Sequence, residues 1–135
     1  MALITGGYNG ALLKSAEIFN PVTKISCSLP HLPEARNRHT QNGDLACGGQ
    51  FSQTTCVKWS PASGTWTHSH TLKKGEYGRV SWATDSGVYL IGGSAGAKTQ
   101  KVKLDGSVEE GFVLRYRTWY GIQTSFYKHI SGLYL

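Results

Sequence analysis

The chain has 135 residues, enough for one small domain with its own core, and only 16% of them are charged. It carries 14 Lys and Arg residues against 8 Asp and Glu residues, but the basic residues are scattered along the sequence. Because this scatter lacks the basic and aromatic motif of a nucleic-acid-binding module, we expect no nucleic-acid partner. No apolar segment follows Met1 or is long enough to cross a membrane, so we expect no membrane insertion and leave the compartment open.

The composition favours strands, because glycines number 17, aromatic and β-branched residues are frequent, and no window has the apolar period of a helix. The sequence therefore predicts an all-β fold. Its most regular feature is a glycine pair that ends a short apolar stretch, with the second glycine at positions 7, 49 and 93, which are 42 and 44 residues apart. A repeat of this length indicates stacked or radially arranged units. The pairs are Gly6 and Gly7, Gly48 and Gly49, and Gly92 and Gly93.

Each glycine pair is followed by a polar loop and then by a strand with alternating side chains. These strands are predicted over residues 15–21, 54–61 and 98–106, and they close with the turn sequences Asn-Pro, Ser-Pro and Asp-Gly. One unit is then four short antiparallel strands. Such a sheet has two faces to bury, so successive units must pack face to face. At the glycine pairs we expect a positive φ or a backbone approach that excludes a Cβ.

Other residues recur in step with the glycine pairs. Phe19 and Trp59 precede the turns, Trp66 follows Trp59 by seven residues, and Arg36 and Arg79 come three residues before a ring. With the glycine pairs, these residues make the chain resemble the kelch repeat of β-propellers, in the superfamily of the galactose oxidase central domain.

The resemblance implies an incomplete propeller of four-stranded blades over nearly the whole chain. Residues 1–35 would form a partial blade with strands two to four, 36–78 the second blade, 79–121 the third blade, and 122–135 the start of a further blade. Propellers close with about four to eight blades, so three repeats cannot make a ring. The chain is then either part of a longer six-bladed propeller or, less favoured, a half-propeller of which two copies close a ring.

Partners of kelch propellers usually dock on the face that bears the connections between blades and the loops between second and third strands. In this sequence these segments hold Lys73, Lys74, Lys98 and Arg115, and Trp119 lies in a connection between blades. The expected result is a basic face that attracts an acidic partner protein. The alternative is an ordinary solubilising surface. Turns of the opposite face are expected to be acidic, with Asp44, Asp85, Asp105, Glu109 and Glu110.

Arg36 and Arg79 begin the innermost strands, where the resemblance places channel-mouth arginines that hold acidic peptide side chains. A guanidinium group suits bidentate capture of a carboxylate. The alternative role is structural and commoner, because long arginine side chains also brace loops by donating to carbonyl groups of a neighbouring blade. The sequence leaves both roles open.

The three cysteines fit neither a dense disulfide framework nor a zinc spacing. Cys47 and Cys56 flank the second glycine pair, so they can form a cross-strand disulfide in an oxidising compartment or remain two small buried residues, while Cys27 stays unpaired. His68 and His70 have a spacing that can chelate a metal ion. No third ligand is near them in sequence, so an exposed outer strand is favoured and no metal site is expected.

The chain shows no sequence motif for hydrolytic or nucleotide chemistry. Its tryptophans Trp59, Trp66 and Trp82 are expected to pack within blades. The resemblance to kelch propellers implies a non-catalytic protein–protein interaction module, and no cofactor is expected. Alternatives are a half-propeller that forms a homodimeric scaffold and, least favoured, part of a galactose-oxidase-like copper enzyme, since fold analogy alone does not carry chemistry.

Overall fold

The computed structural model describes residues 1–51, 53–75, 77–94 and 97–115. These ranges contain eleven β-strands and no helix, and the strands form three antiparallel sheets. The prediction of an all-β fold is confirmed. Within the same ranges, no helix is long and apolar enough to cross a membrane.

The first sheet has three strands, and the others have four each in chain order, so every sheet is a simple meander. The first sheet comprises β1 (Ala2–Thr5), β2 (Ala16–Asn20) and β3 (Ile25–Leu29). The second comprises β4 (Thr40–Asn42), β5 (Leu45–Cys47), β6 (Thr55–Ser60) and β7 (Thr65–Thr71). The third comprises β8 (Val80–Thr84), β9 (Gly87–Ile91), β10 (Lys98–Lys103) and β11 (Val108–Val113).

The strands predicted after the three glycine pairs are confirmed as β2, β6 and β10. The predicted turns follow them. The carboxamide oxygen of Asn20 accepts the N–H of Val22 at 3.0 Å, the N–H of Gly64 donates to the carbonyl of Ser60 at 2.8 Å, and the carboxylate of Asp105 accepts the N–H of Ser107 at 2.9 Å. These short polar turns keep neighbouring strands antiparallel.

The second and third sheets share an apolar core. Leu45, Cys47 and Cys56 on one face of the second sheet pack with Leu90 and Val102 of the third. Side chains alternate between the two faces of a strand, so the neighbours of Leu90 and Val102 along β9 and β10 point away from this core. The core therefore defines an inner face of the third sheet, turned towards the second sheet, and an outer face turned away from it.

Cys47 and Cys56 occupy directly opposite positions of β5 and β6, and their sulfur atoms are bonded. Both residues are buried in the core between the second and third sheets. Of the two alternatives left open by the sequence, the structure contains the cross-strand disulfide. Cys27 is exposed and free.

Trp59 and Trp66 face each other across β6 and β7, with ring centroids 5.4 Å apart. The Trp66 ring packs against a second core that contains Leu32, and its indole N–H donates to the carbonyl of Pro30 at 2.9 Å. Since Pro30 and Leu32 follow the last strand of the first sheet, this contact ties the first sheet to the second. Both tryptophans therefore pack as predicted.

The glycine pairs lie where the backbone closely approaches another segment, and the first pair does so at the joint between the first and second sheets. Gly6 has a φ of 62°, and a Cβ there would overlap the carbonyl oxygen of Arg36 at the start of the second sheet. Gly93 has a φ of 85°, and a Cβ there would lie 2.6 Å from the carbonyl oxygen of Tyr77, in the connection that leads into its own sheet. Both parts of the prediction, a positive φ and a close backbone approach, are confirmed at these positions.

A chain of polar side chains lies next to the first joint. The hydroxyl of Thr5 donates to the carboxamide oxygen of Gln41, so it must accept from Nε2–H of His39, which lies 2.8 Å away. This fixes the neutral tautomer with an unprotonated Nδ1, which is buried and has no hydrogen-bond partner among the described residues. Burial lowers the pKa of His39, and the nearby positive charge of Arg36 lowers it further, against a smaller opposing effect of Gln41.

Candidate binding site on the loop-bearing face

A cavity of about 320 Å³ opens between the β7–β8 connection and the strands β10 and β11. Its wall contains four residues that the sequence assigned to partner binding, namely Lys73, Lys74, Arg79 and Lys98. The other lining residues are Thr99, Gln100, Glu110, Gly111 and Val113. We call this site the basic cavity, and the side of the molecule on which it opens the loop-bearing face.

Gln100 holds the lysine-bearing connection in place. Its side chain is only 3% exposed, and its carboxamide oxygen accepts the N–H groups of Lys73 at 2.8 Å and of Lys74 at 3.3 Å. Its NH₂ group donates to the carbonyl of Lys74 at 2.8 Å. One buried amide thus satisfies three backbone groups, as a neighbouring strand would do. This fixes the backbone from which both lysine side chains project.

The lysines of the basic cavity carry exposed charges. Lys73, Lys74 and Lys98 are exposed, and their ammonium groups make no ion pair or hydrogen bond with the described part of the chain. Glu110 is the acidic residue among the lining side chains. The three lysines and Arg79 therefore outweigh it. A concave site with a net charge of one sign concentrates ligands of the opposite charge.

Arg79 forms a buried part of the wall. Its Nη1 donates to the carbonyl of Leu90 at 3.5 Å, so the side chain also supports β9. Because it is mostly buried, its charge acts on the cavity over a distance, while the exposed lysines are placed for direct contact.

Arg36, in contrast, has the bracing role. The residue is 0% exposed, and Nη1 donates to the carbonyls of Gly48 and Thr55, both at 2.8 Å. Nη2 donates to the carboxylate of Glu34 at 3.0 Å and to the Thr55 hydroxyl. The bonded carbonyls belong to its own sheet, whereas the bracing alternative expected those of a neighbour. Burial lowers the pKa of Arg36, while Glu34 opposes this shift, and a guanidinium group remains charged in proteins.

The opposite face differs from the expected acidic surface. Lys58 lies 3.6 Å from the carboxylate of Asp44, and Lys103 lies 3.4 Å from that of Glu109. Strand lysines therefore neutralise two of the predicted acidic residues. Placing Glu110 on this face was wrong, because it lies opposite Gln100 and lines the basic cavity.

The remaining acidic residues of this face include Asp105, whose carboxylate accepts from the hydroxyl and the N–H of Ser107. These bonds lower the pKa of Asp105, and the nearby Lys103 adds a smaller effect in the same direction. The carboxylate therefore stays ionised in the turn between β10 and β11.

Arg115 and Trp119 were also predicted to bind the partner. Arg115 is exposed and follows Leu114, whose N–H donates to the carbonyl of Ala97 at 2.8 Å, next to Lys98. Trp119 and the segment 122–135 lie outside the described residues.

The two histidines considered as metal ligands are bonded elsewhere. His68 Nε2 lies 3.2 Å from the hydroxyl of Thr71, and His70 Nε2 lies 2.7 Å from the carbonyl of Lys103. A register shift between Cys56 and Val57 disturbs the regular alternation that the sequence interpretation assumed. Among the described residues, no three His, Cys, Asp or Glu side chains are grouped to hold a metal ion.

Comparison with models of known protein families found no match, and comparison with curated protein sequences found none either. The fold itself defines an all-β protein whose three antiparallel sheets are compatible with part of a propeller.

The sequence analysis did not predict the roles of Gln100 and Glu34. Gln100 bonds to the backbone of the β7–β8 connection, and the carboxylate of Glu34 bonds to Arg36 and Thr55. The sequence offered little signal for Gln100, because β10 is mostly polar and Gln100 does not stand out within it. A buried amide must find partners, and here those partners are backbone groups of another sheet connection.

Proposed function

We propose that the chain is a non-catalytic protein-interaction module built from kelch-type propeller blades. Support comes from sheets that follow one another in chain order and from a glycine pair that forms the joint between the first two of them. The recurrent arginines Arg36 and Arg79 are also both buried, and each precedes the first strand of its sheet.

The partner of this module is an acidic segment of another protein, which binds at the basic cavity. The observation that carries this proposal is the convergence of Lys73, Lys74 and Lys98 on one concave site. Their ammonium groups need no rearrangement to meet carboxylates, because they make no ion pairs with the described residues. Arg79 adds to the field, and Gln100 keeps the lysine-bearing connection ordered before binding, which lowers the entropic cost of association.

The roles assigned to the arginines change accordingly. Arg36 contributes to the module by holding its own sheet and Glu34, and it does not contact the partner. Arg79 acts mainly through its charge. The exposed lysines replace the arginines as the groups that touch acidic side chains.

Fluorescence anisotropy with a labelled glutamate-rich peptide tests the proposal. Lys98→Glu should weaken binding about tenfold, with a smaller dependence on salt, because it reverses a charge at the cavity. Lys24→Glu is the matched control, since Lys24 is exposed in the β2–β3 turn and the change in net charge is the same. Equal losses of affinity for both variants would show that only the net charge of the protein attracts the peptide, and would refute the site.

A further inference from the structure

Two exposed aromatic residues follow the first two glycine pairs. Tyr8 lies in the β1–β2 connection and is 65% exposed, and Phe51 lies in the β5–β6 connection and is 77% exposed. The β5–β6 connection lies at the same end of the second sheet as the lysine-bearing β7–β8 connection, because the N–H of Leu72 donates to the carbonyl of Thr54 at 2.7 Å. Phe51 and the basic cavity therefore belong to the same face of the molecule.

The backbone of Phe51 has an unfavourable conformation. Its φ is 64°, in the left-handed region that is rare for a residue with a bulky side chain. The residue before it, Gln50, donates its N–H to the carbonyl of Asn37 at 3.0 Å, which holds the connection in place. The ring gains little burial in exchange, since most of it is exposed. Residues held in such conformations are concentrated at ligand-binding sites, so we looked for a binding role of Phe51.

The hydrogen bond to Asn37 also connects Phe51 to the wall of the basic cavity. Asn37 is followed by Arg38, whose carbonyl accepts the N–H of Gly78 at 2.8 Å. Gly78 in turn precedes the cavity residue Arg79. The backbone path from Phe51 to the cavity wall is therefore about 15–20 Å long, a distance that an extended peptide of about five or six residues spans.

A positive charge lies along this path, and a second aromatic ring lies beyond Phe51. Arg38 is exposed, and its guanidinium carbon lies 6.0 Å from the ring centroid of Tyr77 in the β7–β8 connection. Tyr8 follows Gly7, whose N–H donates to the carbonyl of Arg36, one residue before the carbonyl that holds the β5–β6 connection. The face thus offers apolar rings at one end of the path and a group of cations at the other.

We infer that the acidic partner segment also carries a large apolar side chain, about five or six residues from its carboxylates, which packs on Phe51 on the side towards Tyr8. Aromatic residues are enriched in the cores of protein interfaces, where a polar rim surrounds them. The carboxylates hold one end of the segment at the lysines, and burial of the apolar side chain on Phe51 holds the other. This inference rests on the proposed function and specifies the partner further.

Fluorescence anisotropy with two labelled peptides tests the inference. One peptide has a phenylalanine about five residues before and about five residues after a run of glutamates, and the other has serines in both places. The wild-type chain should bind the phenylalanine peptide about tenfold more tightly, because part of an aromatic side chain leaves water. Phe51→Ser should abolish this preference without changing the affinity for the serine peptide. Phe51→Leu, which keeps a large apolar side chain, should keep most of the preference.

Two further variants separate the apolar contact from the acidic one. Val22→Ser is the matched control, because Val22 is 87% exposed in the β2–β3 turn, at the other end of the first sheet, and it should leave the preference unchanged. Lys98→Glu should weaken the binding of both peptides by the same factor. Equal binding of both peptides by the wild-type chain, or a preference that survives Phe51→Ser, overturns the inference while the acidic site still stands. If neither peptide binds, both the inference and the proposed function are refuted.

Discussion

The carbonyl oxygen of Arg36 occupies the place that a Cβ on Gly6 would need, and the same oxygen accepts the N–H of Gly7 at 2.7 Å. The first glycine pair thus both makes room for the second sheet and bonds to it. Because the Arg36 side chain is buried against Gly48 and Thr55, the joint extends into the interior of the second sheet. The first glycine pair of the sequence therefore marks a contact between two sheets.

Replacing Gly6 with alanine should destabilise the fold by about 2–4 kcal/mol, because a left-handed backbone and a blocked approach to Arg36 both oppose a Cβ. Gly43→Ala is a close control: its φ of 55° is similar, and no atom lies within 4 Å of the added Cβ. It should cost only about 1–2 kcal/mol. Urea unfolding measures both changes, and equal losses would show that the joint tolerates a methyl group.

The Cys47–Cys56 disulfide joins residues nine apart in sequence, so it removes entropy from a short loop of the unfolded chain. Replacing both cysteines with alanine should cost about 2–3 kcal/mol. The wild-type melting temperature should fall in reducing agent, while that of the double variant should not respond. Cys27→Ser, at an exposed free thiol, serves as the control. A wild-type melting temperature that ignores the reductant would contradict a stabilising bond.

His39 should make the protein sensitive to acid. Its pKa is lowered in the folded state from an ordinary value of about 6.5, so the unfolded chain takes up a proton first as the pH falls. Stability is then fully present above about pH 6.5 and decreases below it, until the folded His39 is itself protonated. Protonation places a hydrogen on the buried Nδ1 and a second positive charge near Arg36.

Chemical unfolding at several pH values measures this effect. His39→Gln should weaken the dependence of the free energy of unfolding on pH between about pH 6.5 and 5, where the unfolded histidine titrates. His31→Gln, which removes a histidine at an exposed position, is the control. Identical slopes in all three proteins would mean that other groups cause the loss.

Gln100 should act on binding through the lysines that it positions. Gln100→Leu removes an acceptor for two N–H groups and a donor for one carbonyl, so the β7–β8 connection should exchange its amide hydrogens faster. We expect a loss of affinity for a glutamate-rich peptide of about threefold to tenfold. Gln53→Leu is the control, since Gln53 makes its bond to the carbonyl of Ala35, next to the second sheet. Unchanged affinity for Gln100→Leu would remove the positioning role.

The fold was predictable because its strongest signals are local. Glycine at positions 6 and 93 indicates a positive φ and a close backbone approach, which few other residues tolerate. Turn sequences such as Asn20–Pro21 likewise fix local geometry. Such requirements can be seen in the sequence without knowledge of distant contacts.

The binding site was only partly predictable, because its details depend on register and distant contacts. The lysines could be assigned to one face from the order of strands, but Glu110 was misplaced since its height along β11 depends on pairing with Gln100. The role of Arg36 depends on Thr55, which is 19 residues away in sequence. The exposure of Trp82 depends on whether another sheet covers it, and no local pattern encodes that.

The central claim is that an acidic partner binds at the basic cavity. The most direct test is to measure the amide chemical shifts of the protein by NMR while a glutamate-rich peptide is added. On addition of peptide, we predict shift changes at Lys73, Lys74, Lys98 and Gly111, which line the cavity. Amides of the opposite face, such as those of Asp44 and Asp85, should stay unchanged. Changes concentrated on the opposite face, or none at saturating peptide, would contradict the account.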